Sequence, residues 1–419
     1  MNKPGRCPGF TFCDTSDKAD TSGVLGKKRG AVKPDICCYA DEHLDLVEDH
    51  TPLTNPTGEL AGEELPGGET PPLPSKTASG SRGRARGTKD DRRRGRSSAG
   101  DLLGAEEPET RAIPRKRAHM GYAALYLEVK KTESDDYFRD PHKNRSGIPV
   151  DRTKWAFVSP SEDDKLRKAI GQNVAYAVEI CQRQHRHCCF SISMSGSSAR
   201  FIRWDRAGAV VSERFSVLDH PELLCDFLWR FAWMSPAERG YDLTVEPATS
   251  DQVEDFRIAI EAHIKNQGVF TDNEVALSEH FDEHSVTVIH FPASEEDEVQ
   301  RMCWLVSRPI VVPLSVAGRG TRTYWAVNCF TKEVHLLKDT WRHVDGNSEQ
   351  ETEGDVLRGL QKVTKHVPSV IHDESVLSSS VVSDEGEALC IEYTQGMQLS
   401  LPHCVSTLTV TEQVSCKLH

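Results

Sequence analysis

The stretch "SVAGRGTRTYWAVNCFTKEVHLLKDTW", residues 315–341, contains two closely spaced glycines, two runs of strand-forming residues and a lysine near its end. Glycine lets backbone N–H groups approach phosphate oxygens closely, and Gly318 and Gly320 lie where a hairpin would turn. Lys338 ends an apolar run, from which its ammonium can reach a bound phosphate. The alternative is that Lys338 extends from a strand edge into water. The stretch therefore predicts a nucleotide-binding hairpin, with an ordinary surface lysine as the other interpretation.

The sequence that follows supplies a carboxylate partner for this lysine. In "TEGDVLRGLQKV", residues 352–363, apolar side chains recur at helical spacing after Glu353. The expected packed face of this helix consists of Val356, Leu357 and Leu360. We therefore expect Glu353 to meet Lys338.

A second candidate contact with a nucleotide lies further along, in "EALCIEYTQGMQLSL", residues 387–401. Its apolar run predicts a strand that leads into a hinge, where Glu392 and Tyr393 would lie beside an adenine base. The other interpretation is an unrelated edge strand.

Composition excludes several classes of protein. The net charge is −13 and the pI is near 5.7, which argues against a surface that binds nucleic acid along its whole length. The 13 cysteines include no C-x-x-C pair, so we expect reduced thiols rather than a zinc site. No apolar run is long enough for a signal peptide or a membrane span, which predicts a soluble intracellular protein, cytoplasmic or nuclear.

Residues 41–118 are predicted to be a disordered low-complexity insert, rich first in Pro, Gly and Glu and then in Arg. Within it, the tract from Arg82 to Arg96 carries eight Lys or Arg against two Asp. Such a tract is typical of a nuclear-localisation or nucleic-acid-binding arm. A solvated charged linker is the equally weighted alternative.

The residues between this insert and the glycine pair predict a mixed α/β fold. "AALYLEVKK" indicates a buried strand, and helical periodicity begins near Asp164. Alternating residues around "DRAG" predict a hairpin whose turn contains Arg206, and two more amphipathic helices follow. Trp204 and Trp229 are expected in the core.

The chain resembles the fungal-type protein kinase family over roughly residues 123–371. The resemblance is carried by "RQHRHCCFSISMSG", "ARFIRWDRAGAVVSE", "LWRFAWMSPAERGYDLTV", "GRGTRTYWAV" and "LLKDTWR". It implies a protein-kinase-like N-lobe, which is an antiparallel sheet with one αC-type helix. It also implies that the N-lobe binds ATP with Mg²⁺ and that the family's activity is that of a Ser/Thr-type phosphotransferase.

The domain organisation we predict has six parts. They are an N-terminal segment with the first strand (1–40), the insert (41–118), an α/β domain (119–245), a helical connector with an acidic linker (246–300), the N-lobe and hinge (301–400) and a tail (401–419).

The motifs that complete a kinase are missing after Lys338. Neither H-R-D-x-x-x-x-N nor D-F-G occurs there, so nothing supplies the catalytic base or the metal-binding aspartate. We expect weak ATP binding at most, and no phosphoryl transfer. An N-lobe without its C-lobe would expose an apolar face, which predicts a protein partner there. A truncated product, a pseudokinase and a fragment of a gene model all fit this pattern.

The N-terminal residues suggest a different function. Asp35 follows a proline and precedes a strand, Glu128 and Lys130 lie two apart on the next strand, and Gln172 and Tyr176 follow on a helix. This order resembles the PD-(D/E)xK nuclease-like fold, which implies Mg²⁺ at Asp35 and Glu128, with Lys130 beside the attacking water. An exposed strand-face pair of Glu128 and Lys130 is the plainer interpretation. A catalytically inactive interaction module is the third hypothesis for the chain.

Overall fold

The computed structural model describes residues 2, 5–20, 32–48, 113–140, 146, 164–206, 208–268, 272–291, 302–343, 351–364, 367–376 and 404–411. The predicted tract Arg82–Arg96 lies outside these residues, as do Glu392 and Tyr393. Everything described belongs to one compact unit of mixed α/β structure built on two sheets. No described helix combines the length and the apolar character that crossing a bilayer requires.

The first sheet has seven strands, in the order β1-β2-β3-β4-β5-β6, with β7 also paired to β5. The strands are β1 (Phe10–Asp14), β2 (Ile36–Ala40), β3 (Ala123–Lys130), β4 (Cys188–Ser195), β5 (Ser198–Asp205), β6 (Gly208–Val211) and β7 (Phe215–Ser216). Only β3 and β4 pair in parallel among the described strands. A parallel pair needs a long crossover, and helix α1 (Asp164–Arg183) lies between them in the chain.

Both faces of this sheet are covered, as the burial of β3 shows. Tyr126 packs with Tyr176 and Ile180 of α1, whereas Leu125 and Leu127 belong to the opposite core. Helix α2 (Pro221–Trp233) buries Leu224, Leu228 and Phe231 against that second core. Of the two tryptophans expected in the core, Trp204 is buried and donates from Nε1 to Ser191 Oγ at 2.9 Å. The expectation for Trp229 was wrong, since its side chain is 50% exposed.

The second sheet is antiparallel, in the order β13-β14-β12-β11-β10-β9-β8. The strands are β8 (Val245–Pro247), β9 (Thr287–His290), β10 (Cys303–Val306), β11 (Arg322–Asn328), β12 (Val334–His343), β13 (Val370–Val376) and β14 (Cys404–Thr411). Helices α3 (Ser250–Gln267) and α4 (Asn273–His280) cover one face through Phe256, Ile260, Ile264 and Ala276. Helix α5 (Glu353–Gln361) lies between β12 and β13 in the chain.

The two sheets are joined by a buried polar junction. Arg322 of β11 forms an ion pair with Asp339 of β12, and each side chain is 3% exposed. The same guanidinium donates from Nη1 to Gln182 O of α1 at 3.1 Å. His185, just after α1, stacks on Tyr324, and the backbone of Gly318 donates to Arg206 O at 2.9 Å.

The described structure differs from the predicted domain boundaries in two places. Residues at both ends of the predicted 41–118 insert are ordered: Asp41–Leu46 form a 3-10 helix, and Lys116 N donates to Asp14 O at 3.1 Å. Ordering therefore extends into the insert from each side, because these ends pair with β1 and its neighbours. The sheet that contains residues 303–343 also includes β8 and β9, which precede the predicted boundary at 301. The division into domains stays a prediction.

The junction gives a stability prediction. Asp339→Ala would leave the Arg322 guanidinium buried without its carboxylate, so we expect the free energy of unfolding to fall by about 3–5 kcal/mol. Equilibrium urea denaturation measures this loss. The control is Asp226→Ala, which removes the exposed Asp226–Arg230 pair on α2 and should cost under about 1 kcal/mol. Equal, small losses for both variants would contradict the importance of the junction.

Candidate functional site

Lys338 and Glu353 meet, as the sequence predicted. Along β12 the buried Leu337 and Asp339 face the core, so the intervening Lys338 projects from the other face of the sheet. Its Nζ forms an ion pair with Glu353 Oε2 in the first turn of α5. The two side chains are 35% and 40% exposed, so solvent reaches the ammonium.

Helix α5 is held in place by its N-terminus. Thr352 caps the helix in a reciprocal capping box with Asp355, and its hydroxyl also donates to Asp373 of β13. Gly354 faces the same carboxylate, and a Cβ at this position would lie 2.2 Å from Asp373 Cγ. Helix α5 therefore contacts Asp373 of β13 through Gly354 and the Thr352 hydroxyl.

The predicted packed face of α5 was wrong. Val356 and Leu360 are exposed, and Leu357 is only partly buried. The capping contacts turn Gly354 rather than these apolar residues toward β13. An apolar strip on α5 consequently faces solvent in the described structure.

The glycine turn packs on Arg206, the residue that follows β5. Gly318 has φ +92° and Gly320 has φ +50°, a conformation that glycine adopts without strain. The Gly318 N–H donates to Arg206 O, and Arg206 Nη1 donates in return to Val316 O at 3.1 Å. A Cβ on Gly320 would lie 2.3 Å from Arg206 Nη1. In this conformation Gly320 serves a close approach to Arg206, whereas a Cβ on Gly318 would meet no atom within 4 Å. The Gly318 N–H can donate to a phosphate only if it leaves Arg206 O.

Arg206 was missed as a site residue. The sequence places it in a hairpin turn, where an arginine is normally solvated, but its side chain is 4% exposed and lies over the Trp341 ring. Burial lowers its pKa. No local signal could have shown this, because the residues that contact it, Val316, Gly320 and Trp341, lie far along the chain.

Asp35, Glu128 and Lys130 form a second polar group, at the end of β3. Asp35 Oδ2 accepts a hydrogen bond from Val129 N at 2.7 Å, which holds it beside Glu128. Glu128 is 3% exposed, and its Oε1 forms an ion pair with Lys130. Its Oε2 is buried without a hydrogen-bond partner. Burial raises the pKa of Glu128; the Lys130 hydrogen bond opposes this shift, and the Asp35 charge adds to it.

Of the two residues on α1 that the sequence associates with Asp35, Glu128 and Lys130, Tyr176 is buried and Gln172 is exposed. Tyr176 donates from its hydroxyl to Lys33 O at 2.8 Å. Its pKa is raised by burial and, to a smaller extent, by the charges of Glu128 and Asp35. Within the described ranges, no cluster of three or more His, Cys, Asp or Glu is arranged to hold a metal ion, so a metal here would have two carboxylates and water as ligands.

Comparison with known proteins gives one match. The family model described as "Fungal protein kinase" matches residues 142–399, which is more than half of the chain. The matched span includes the glycine turn, Lys338 and Glu353, whereas Asp35, Glu128 and Lys130 lie before it. Neither the curated proteins nor the solved structures gave a match.

The packing of the glycine turn is testable by substitution. Gly320→Ala would force a Cβ against the Arg206 guanidinium at a left-handed backbone position, so we expect a loss of about 1–3 kcal/mol in the free energy of unfolding. The control is Gly359→Ala in α5, where a Cβ meets no atom within 4 Å and helix propensity predicts a gain of up to about 1 kcal/mol. Chemical denaturation distinguishes the two. A neutral Gly320→Ala would show that the turn does not pack on Arg206.

Proposed function

The chain belongs to the fungal protein kinase family, and on this basis we propose that Lys338 and Glu353 form the phosphate-binding side of an ATP cleft. The ion pair between them is the observation that carries the proposal. In protein kinases a lysine on the third strand contacts the nucleotide phosphates and pairs with a glutamate of the following helix. Here β10, β11 and β12 are the last three strands of the five-strand antiparallel meander β8–β12, Lys338 lies on β12, and α5 follows in the chain.

The remaining contacts of the proposed cleft come from elsewhere in the matched span. Glu392 and Tyr393 are our candidates for the adenine side. Gly318 and Gly320 would cover the phosphates after the turn leaves Arg206. The exposed strip of Val356, Leu360 and Val363 on and after α5 is our candidate surface for a protein partner.

We further propose that this chain binds ATP, weakly, without transferring its phosphate. The sequence after Lys338 contains neither H-R-D-x-x-x-x-N nor D-F-G. Those motifs provide the catalytic base and the aspartate that holds Mg²⁺. Lys338 would neutralise part of the phosphate charge, but the γ-phosphate would lack a positioned nucleophile.

A thermal shift titration with ATP and Mg²⁺ tests the binding proposal. At about ten times Kd, binding stabilises the folded state by about 1.4 kcal/mol, which raises the Tm. Lys338→Met should abolish the rise because the phosphates lose their cation. The matched control is Lys332→Met, which removes a lysine of the same hairpin that pairs with Asp255 at 2.6 Å and should leave the rise intact.

Two outcomes would count against the cleft. The Tm of the native protein would stay constant up to millimolar ATP, or Lys338→Met and Lys332→Met would respond to ATP alike.

The group around Glu128 supports a second candidate function. We propose a metal-dependent nuclease-like site in which Asp35 and Glu128 hold Mg²⁺ and Lys130 positions the attacking water. The specific observation is the buried Glu128 Oε2, which lacks a hydrogen-bond partner while the neighbouring Asp35 carboxylate lies close by. A divalent cation between the carboxylates would satisfy this oxygen. The basic tract Arg82–Arg96 is our candidate contact for the nucleic acid.

The raised pKa of Glu128 gives this proposal a stability signature. Since the fold favours the protonated carboxyl, the free energy of unfolding should fall as pH rises from the ordinary pKa of glutamate through the raised value. Metal-free Glu128→Gln should therefore be more stable than the native protein at pH 7, and it should lack that pH dependence. Mg²⁺ should raise the Tm of the native protein increasingly with pH and leave the variant unchanged.

Cleavage assays complete the test. With Mg²⁺ or Mn²⁺ the native protein should cut DNA or RNA and Glu128→Gln should not, whereas the control Glu133→Gln, an exposed residue just beyond β3, should cut normally. An Mg²⁺-induced Tm shift that survives Glu128→Gln would refute the site. If neither ATP nor metal binds, the inactive interaction module remains.

A further inference from the structure

Cys303, the first residue of β10, lies opposite Cys329, the residue that follows β11 in the second sheet. Trp304 of β10 pairs with Asn328 of β11, and one residue further along Cys329 N donates to Cys303 O at 3.1 Å. Directly opposed residues that share such a hydrogen bond have Cα atoms about 5.5 Å apart. This separation lies within the range found for disulfides.

The pair is accessible, which distinguishes it from the other neighbouring thiols. Cys303 and Cys329 are partly exposed, at the margin of the core beneath α3 and α4. Cys181 and Cys189 also interact with each other, as do Cys7 and Cys38, but all four are buried. A small oxidant can therefore reach the pair on β10 and β11 without unfolding the protein.

Local charge favours a reactive thiolate at Cys303. The hydrogen bond from the Cys329 thiol lowers the pKa of Cys303, burial opposes this shift, and the Lys332 ammonium adds to the lowering. Lys332 is held near the pair because its Nζ donates to Cys329 O at 2.7 Å and to Asp255 at 2.6 Å. The thiolate is the nucleophilic form of cysteine.

We propose that Cys303 and Cys329 are a redox site, which hydrogen peroxide converts to a reversible cross-strand disulfide. The Cys303 thiolate attacks a peroxide oxygen, the O–O bond breaks, and the leaving hydroxide takes up a proton to form water. Cys303 is then a sulfenic acid. Cys329 loses its proton and attacks that sulfur, the S–O bond breaks, and a second water leaves. Two thiols lose two electrons and one hydrogen peroxide gains them.

The disulfide would affect the region that contains the glycine turn. Gly318 and Gly320 lie between the two cysteines in the chain, so the bond closes a loop around them. Closing a loop restricts the unfolded chain. The oxidised protein should therefore have a higher Tm than the reduced protein, and dithiothreitol should reverse the rise.

Peptide mapping after brief treatment with dilute hydrogen peroxide tests the proposal. Trypsin does not cut before Pro309, so Cys303 lies alone in peptide 302–319 and Cys329 alone in peptide 323–332. We expect these two peptides to become disulfide-linked at least about tenfold faster than Cys225, a partly exposed cysteine on α2, is oxidised. In Cys329→Ser the sulfenic acid at Cys303 should persist and react with dimedone.

The contrary results are specific. If Cys225 is oxidised as fast as Cys303 and Cys329 or faster, the pair is not a redox site. The same holds if Cys303 and Cys329 still react with an alkylating reagent after the peroxide treatment. A linked peptide that appears only after denaturant exposes the chain would also overturn the proposal. Cys225→Ser, treated in the same way, should still form the linked peptide.

Discussion

The buried ion pair between Arg322 and Asp339 constrains how β11 and β12 of the second sheet pair with each other. Successive residues of a strand point to opposite faces, so a slip of one residue between β11 and β12 would expose Asp339 and bury Lys338. Such a slip would leave the buried Arg322 guanidinium without its carboxylate, which is strongly destabilising. The pair thus fixes the register in which Thr323 lies opposite Lys338, and that register directs Lys338 toward α5.

The same constraint ties the two sheets together. Arg322 also donates to the carbonyl of Gln182 in α1, and the turn before β11 packs on Arg206 of the first sheet. The glycine turn of the second sheet is therefore held in place by its contacts with Arg206. Any movement of the turn toward a phosphate would have to break the contacts with Arg206, so nucleotide binding of the kind proposed at Lys338 would be coupled to the packing of Arg206.

The elements of the fold were largely readable from the sequence, because they depend on local periodicity. The strand at Ala123, the helix that begins at Asp164 and the pairing of Lys338 with Glu353 all rest on spacing within a short segment. The role of that pairing in binding ATP stays a prediction, as does the role of Glu128 in binding metal.

The misses share a different cause. Arg206 and Arg322 have polar, strand-like or turn-like surroundings in the sequence, and their burial depends on residues far along the chain. Trp229 and the apolar side chains of α5 are exposed because other residues of the same helices, such as Leu228 and Gly354, turn toward the sheet. Helical periodicity indicates that an apolar face exists, but it does not show which partner covers it.

The proposed contact between Lys338 and the phosphates can be tested with an acyl-phosphate derivative of ATP, which transfers its acyl group to a lysine that touches the phosphates. Mass spectrometry then identifies the modified residue. We expect Lys338 to be acylated and excess ATP to suppress this reaction, with Lys332 acylated slowly and without competition. Acylation of both lysines at the same rate, unaffected by ATP, would contradict the proposed contact.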